Sequence, residues 1–127
     1  MATRKYQQAS EHFLAQAGQE LASDLPQASE KGWGAATQIL KAIAEQRGWE
    51  HNRHRHYLSI TSRLRDETGD GDIRRLFGSA SLLHENFYEN EMTAEDVADG
   101  LDDVKALIDN EALADHRAGA VRLLRRS

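Results

Sequence analysis

Every long segment of this 127-residue chain repeats its apolar residues at spacings of three and four, and none alternates with period two. That pattern belongs to helices that bury one stripe, and it leaves nothing from which to build a sheet. Tyr6, Ala9, Phe13, Ala17 and Leu21 predict a first helix over roughly residues 3–23, with Thr3 as its cap. Pro26, the only proline, would break a continuing helix but suits the first turn of a new one, so a boundary falls at 24–26. Trp33, Ala36, Leu40 and Ile43 mark a second helix that should stop at Gly48. Gly32 and Gly34 lie inside it, each costing about 1 kcal/mol relative to alanine, which close approach of another helix would offset. A third helix, His51 to Arg65, carries Tyr57, Ile60, Thr61 and Leu64, and the Thr68–Asp72 loop follows it. Ile73, Leu76, Phe77, Ala80, Leu83, His84 and Phe87 form the stripe of a fourth helix ending near Asn90. Thr93 caps a fifth, whose stripe is Val97, Leu101, Val104 and Ile108. Asp96 stands in the capping-box position, but its short side chain leaves only the cap itself secured.

Five such helices with short connections predict an all-α, antiparallel up-down bundle. Residues 1–112 form the bundle, and 113–127 a basic C-terminal helix or tail that extends the fifth helix or makes a short sixth. The length suits one domain. Trp33, Leu40, Ile60, Phe77 and Phe87 are the expected core.

Several protein classes fall away. No apolar run approaches the roughly 18 residues of a membrane span. The polar start, MATRKYQQ, has no apolar signal segment, so a cytoplasmic location is expected. The chain has no cysteine, hence neither disulfides nor thiolate metal sites. The net charge of −5 is unevenly spread. Residues 89–115 hold ten acids and one base, Lys105, a net of −9, so the remainder is +4. From Arg47 to Arg65 there are five arginines and three histidines against one acid, Glu50. Such asymmetry steers a polyanion to one face, or else reflects an acidic helix lying against basic ones.

No motif specifies a reaction. His51, His54 and His56 cluster, but His54 and His56 point apart on a helix, and Arg53 and Arg55 among them repel a cation. They read as a basic, solvent-facing helix start, so no metal and no other cofactor is expected. Asp66 to Gly71 has calcium-loop character, yet the twelfth position is Phe77 where a glutamate is needed. His84 falls within an apolar stripe, so its imidazole needs a hydrogen-bond partner. It reads either as a satisfied core histidine or as a polar group lining a site between helices.

Two blocks carry a resemblance. One is Ala28-Ser29-Glu30-Lys31-Gly32-Trp33-Gly34-Ala35-Ala36 with Lys41-Ala42. The other is Leu83-His84-Glu85-Asn86-Phe87-Tyr88-Glu89. Together they resemble the PaREP group of helical proteins within the HEPN superfamily, over about residues 5–110. The resemblance implies a HEPN-like bundle, often a homodimer. It also implies company with ribonucleases of toxin–antitoxin systems and with small nucleotidyltransferases. Superfamily nucleases use an arginine, four to six residues, then a histidine. Only Arg47 and His54 fit here, and roughly two such matches arise by chance in a chain of this composition, so no catalytic residue is assigned.

The resemblance does suggest a ligand site of Glu30, Lys31 and Trp33 on the second helix, with His84, Asn86 and Tyr88 on the fourth. Lys31 would meet a phosphate, Trp33 would stack, and Asn86 would bond a base edge. The same residues also suit a polar network that fixes packing. Arg47, Arg53, Arg55 and Arg63 would supply electrostatics toward nucleic acid. The expected function is a nucleotide- or RNA-interacting module. The alternative is a regulatory homodimer without catalysis, for which Leu123 and Leu124 in the tail offer apolar contact.

Overall fold

A computed structural model describes residues 2–110 and Leu113. Among them are five helices and no strand: α1 (Ala2–Glu20), α2 (Leu25–Arg47), α3 (His54–Thr68), α4 (Asp72–Glu89) and α5 (Ala94–Ile108). Apart from Leu113, the expected C-terminal helix or tail over 113–127, with Leu123 and Leu124, lies outside the described residues.

Helix boundaries follow local chemistry. Asp24 caps α2, its carboxylate accepting the Gln27 N–H at 3.1 Å, and Pro26 occupies the first turn. Gly48 ends α2 at φ 72°, the left-handed conformation that a side chain would strain. Three details differ from the sequence expectation. First, α1 stops at Glu20, whose carbonyl accepts the N–H groups of Ser23 and Asp24, and Thr3 lies inside the helix instead of capping it. Second, α3 starts at His54 and not His51, because His51 is drawn back to Glu45 near the end of α2. Third, Asp96 does complete the capping box. Its carboxylate accepts the Thr93 N–H at 3.2 Å, while the Thr93 hydroxyl accepts the Asp96 N–H at 3.1 Å.

The core is organised around α2, which packs against all four other helices. Its small residues allow this. Ala28, Ala35, Ala36, Ala42 and Ala44 are fully buried, and Gly32 lies under Leu83 and Leu101. Ser10 fastens α1 by donating to the Ala35 carbonyl at 2.7 Å. Trp33, Leu40, Ile60 and Phe77 are buried as expected, and Leu113 also joins the core. Phe87 is only half-buried. In the last turn of α4 it is Asn86, 3% exposed, that turns inward.

Helix α4 separates the two charged regions. Phe77 and His84 face α3 on one flank, whereas Ser79 and Asn86 face α5 and the turn before it on the other. Each pair is seven residues apart, nearly two full turns, and the two pairs point in nearly opposite directions.

Candidate functional site

Glu30 and His84 come together from α2 and α4 although 54 residues separate them in sequence. The His84 Nδ1–H donates to Glu30 Oε1 at 2.9 Å, and both side chains remain about a third exposed. A carboxylate only accepts, so this bond fixes the tautomer: Nδ1 carries hydrogen, and Nε2 of the neutral ring keeps the lone pair. The pair is thus an oriented imidazole with one nitrogen available.

Trp33 is its floor. The His84 ring stacks on it at 4.7 Å and His54, from the first turn of α3, at 5.3 Å, while the two imidazoles are 6.1 Å apart. Sides this similar place both imidazoles over one face of the indole, not one on each side. Tyr57 and Phe77 close around Trp33 at 5.8 and 5.4 Å. With 9% exposure, Trp33 has no open face for a ligand base, so it supports the imidazoles and does not itself stack on solvent-borne rings. Tyr88, 70% exposed, stands edge-on to His84 at 5.5 Å and is the accessible aromatic of the site. Burial, and secondarily Tyr6, raises the Tyr57 phenol above its ordinary value.

Other sequence-derived site residues go elsewhere. Lys31 turns to Glu20 at the end of α1, with N···O 3.7 Å. Asn86 is held inside the protein. Its amide donates to Ser29 Oγ at 2.9 Å, and its carbonyl accepts the N–H groups of Glu91 and Met92. That geometry closes the α4–α5 turn and gives Asn86 a packing role. Arg47 pairs with Glu67 and lies over Trp49, whereas His54 stacks on Trp33.

His51 and His56 are claimed by carboxylates. His51 Nε2 meets Glu45 at 2.8 Å, and its Nδ1 is buried without a hydrogen-bond partner. His56 Nε2 meets Glu50 at 3.2 Å, and its Nδ1 accepts the Arg53 N–H at 3.1 Å. Arg53 and Arg55 are exposed at the start of α3 beside His54. No group of three metal-ligating side chains occurs among the described residues. His54 is the member of the site that periodicity overlooked; its signal was adjacency to arginines, which read as solvent-facing.

The sequence matches the archaeal PaREP1/PaREP8 family over residues 5–108. The chain belongs to that family. Neither curated proteins nor solved structures yield a match. The family match spans all of α2–α5 and most of α1, and so contains every element of the Glu30–His84 site. No helix among the described residues is long and apolar enough to cross a membrane.

Proposed function

We propose that this family member is a nucleotide- or RNA-interacting module of HEPN-like, antiparallel architecture. It would work in the cytoplasm beside a toxin–antitoxin or nucleotidyltransferase partner. The observation that carries the reading is the Glu30–His84 pair. It is oriented, partly exposed and next to His54, which the exposed Arg53 and Arg55 flank in sequence. Charge separation supports it too. Residues 51–65 hold arginines and no acid, and among the described residues no ion pair joins them to α5. Arg65 pairs with Asp66, but no ion pair among the described residues engages Arg53, Arg55 or Arg63, whose charge stays open to an anionic ligand. Paired contacts such as Ser10–Ala35 and Glu20–Lys31, whose numbers run in opposite senses, support the antiparallel part.

Anisotropy of fluorescein-labelled single-stranded RNA tests the reading. Binding should weaken steeply with salt. Replacing Arg53, Arg55 and Arg63 together by alanine should flatten that slope, while Glu30→Gln or His84→Ala should change ligand preference. Wild type that ignores RNA and nucleotides at low salt sinks the proposal. The homodimer reading is kept by one observation: Leu58, Leu82 and Tyr88 are large, exposed and without cover.

A further inference from the structure

Trp49 lies in the connection between α2 and α3, partly buried against the core. The guanidinium carbons of Arg47 and Arg63 lie over its ring, 4.7 and 4.9 Å from the centroid. Each cation is attracted by the negative face of the indole. Two cations on one ring also repel each other, and the Glu67 carboxylate offsets this by pairing with Arg47. Arg63 has no such partner: among the described residues no carboxylate lies within ion-pair distance of it. Its charge is held in place without being neutralised. A guanidinium held over a ring spends none of its N–H donors on a carboxylate and can turn them to another acceptor.

Arg63 belongs to a row. Arg55, Ser59 and Arg63 follow one another at intervals of four on α3, and all three are exposed. The row runs about 12 Å along the helix. A hydroxyl thus stands between two guanidiniums on one face, a repeating set of donors that suits a repeating anion better than scattered carboxylates.

We propose that the Arg55–Ser59–Arg63 face of α3 is a track for the phosphodiester backbone of a nucleic acid, and that Trp49 is a positioning residue that presets Arg63. The inference rests on the nucleic-acid reading above and specifies where and how the backbone is held. Arginine forks match phosphate oxygens bidentately. A side chain ordered before the ligand arrives loses less rotamer entropy on binding. Contacts of this kind fix register and affinity without reading sequence.

The test uses the full chain and a short fluorescein-labelled oligouridine, titrated across a salt series. Trp49→Ala and Arg63→Ala should each weaken binding about two- to fivefold, the range of an exposed cation–π contact. Trp49→Phe, which keeps a π face, should restore most of the loss. Trp49→Ala should add nothing in the Arg63→Ala background, because it acts through Arg63; additive effects would overturn the positioning role. Both Arg55→Lys and Arg63→Lys should weaken binding, but Arg63→Lys should weaken it more, because it disturbs the contact with Trp49 as well as removing the fork. That comparison leaves Trp49 intact, so it stands even where Trp49→Ala fails to fold, and equal effects of the two lysines overturn the proposal. Strong binding by wild type that Trp49→Ala leaves unchanged refutes the track but not the nucleic-acid reading. No binding by wild type refutes both. If Arg63→Ala instead changes only sedimentation, the row docks an acidic protein face such as α5 of a second copy, and the track is wrong.

Discussion

Leu83 is wedged between two glycines. Cβ atoms added at Gly32 and Gly100 would come within 2.9 and 2.8 Å of its methyls, so it cannot retreat from one without meeting the other. At Gly32 the new carbon would also stand 2.6 Å from Leu101. Gly32→Ala should therefore destabilise by about 1–3 kcal/mol despite the helical gain of alanine. Gly34→Ala meets only the half-buried Phe13 ring at 3.2 Å, which has room to shift, and should be close to neutral. Urea titrations of the two variants decide this; equal losses would mean that Leu83 is not fixed. Phe77→Ala, 2% exposed, should cost about 3–5 kcal/mol. Tyr57 gives a pH test. Burial raises its phenol above 10.0, so the folded protein holds that proton more tightly than the unfolded chain. Its contribution is full below about pH 10 and is lost as pH climbs through the raised value. Above pH 10 the wild type should lose stability more steeply than Tyr57→Phe, and parallel pH curves would refute the shift.

At the scale of elements, the α4–α5 turn hangs on Asn86. Its carbonyl satisfies two backbone N–H groups and its amide reaches back to Ser29 on α2. Asn86→Ala leaves those groups unpaired and should cost about 2–4 kcal/mol, measurable by urea titration. A loss below about 1 kcal/mol would mean that water replaces the amide without penalty. From the sequence Asn86 reads either as a ligand contact or as part of a packing network, because a polar residue beside an apolar stripe fits both. Only the position of the Glu91 and Met92 amides separates the two. Stripes and caps, by contrast, are local, so α2, α5 and all of the α4 stripe but its last turn, where Phe87 is only half-buried, were readable from spacing. The start of α3 was not, since Glu45 pulls His51 out of the helix across a loop.

The whole molecule has a basic edge and an acidic edge, set apart by α4. Lys105, the only base in the acidic segment, pairs with Asp109 one turn along α5 and cancels little of that charge. The sequence revealed the imbalance but allowed two outcomes, neutralisation within the fold or separation across it. Among the described residues no ion pair joins α3 to α5, and Arg47, Arg65, His51 and His56 pair with carboxylates close to α3. For the dimer reading, sedimentation equilibrium at micromolar concentration should exceed the 14.3 kDa of one chain, and a mass at that value rules it out.

By itself the sequence determined the all-helical content, the number of main helices, most of their ends, and the need for a partner at His84. These depend on spacing and capping within a few residues, and the chain carries that information directly. Tertiary structure alone decided that the partner is Glu30, that His54 lies beside His84 over Trp33, that Lys31 turns away, and that α2 is the hub. Those facts depend on the rotation and depth at which helices meet. Side-chain volumes distant in sequence set that geometry: the glycines under Leu83 bring α2, α4 and α5 close enough for the rest to follow.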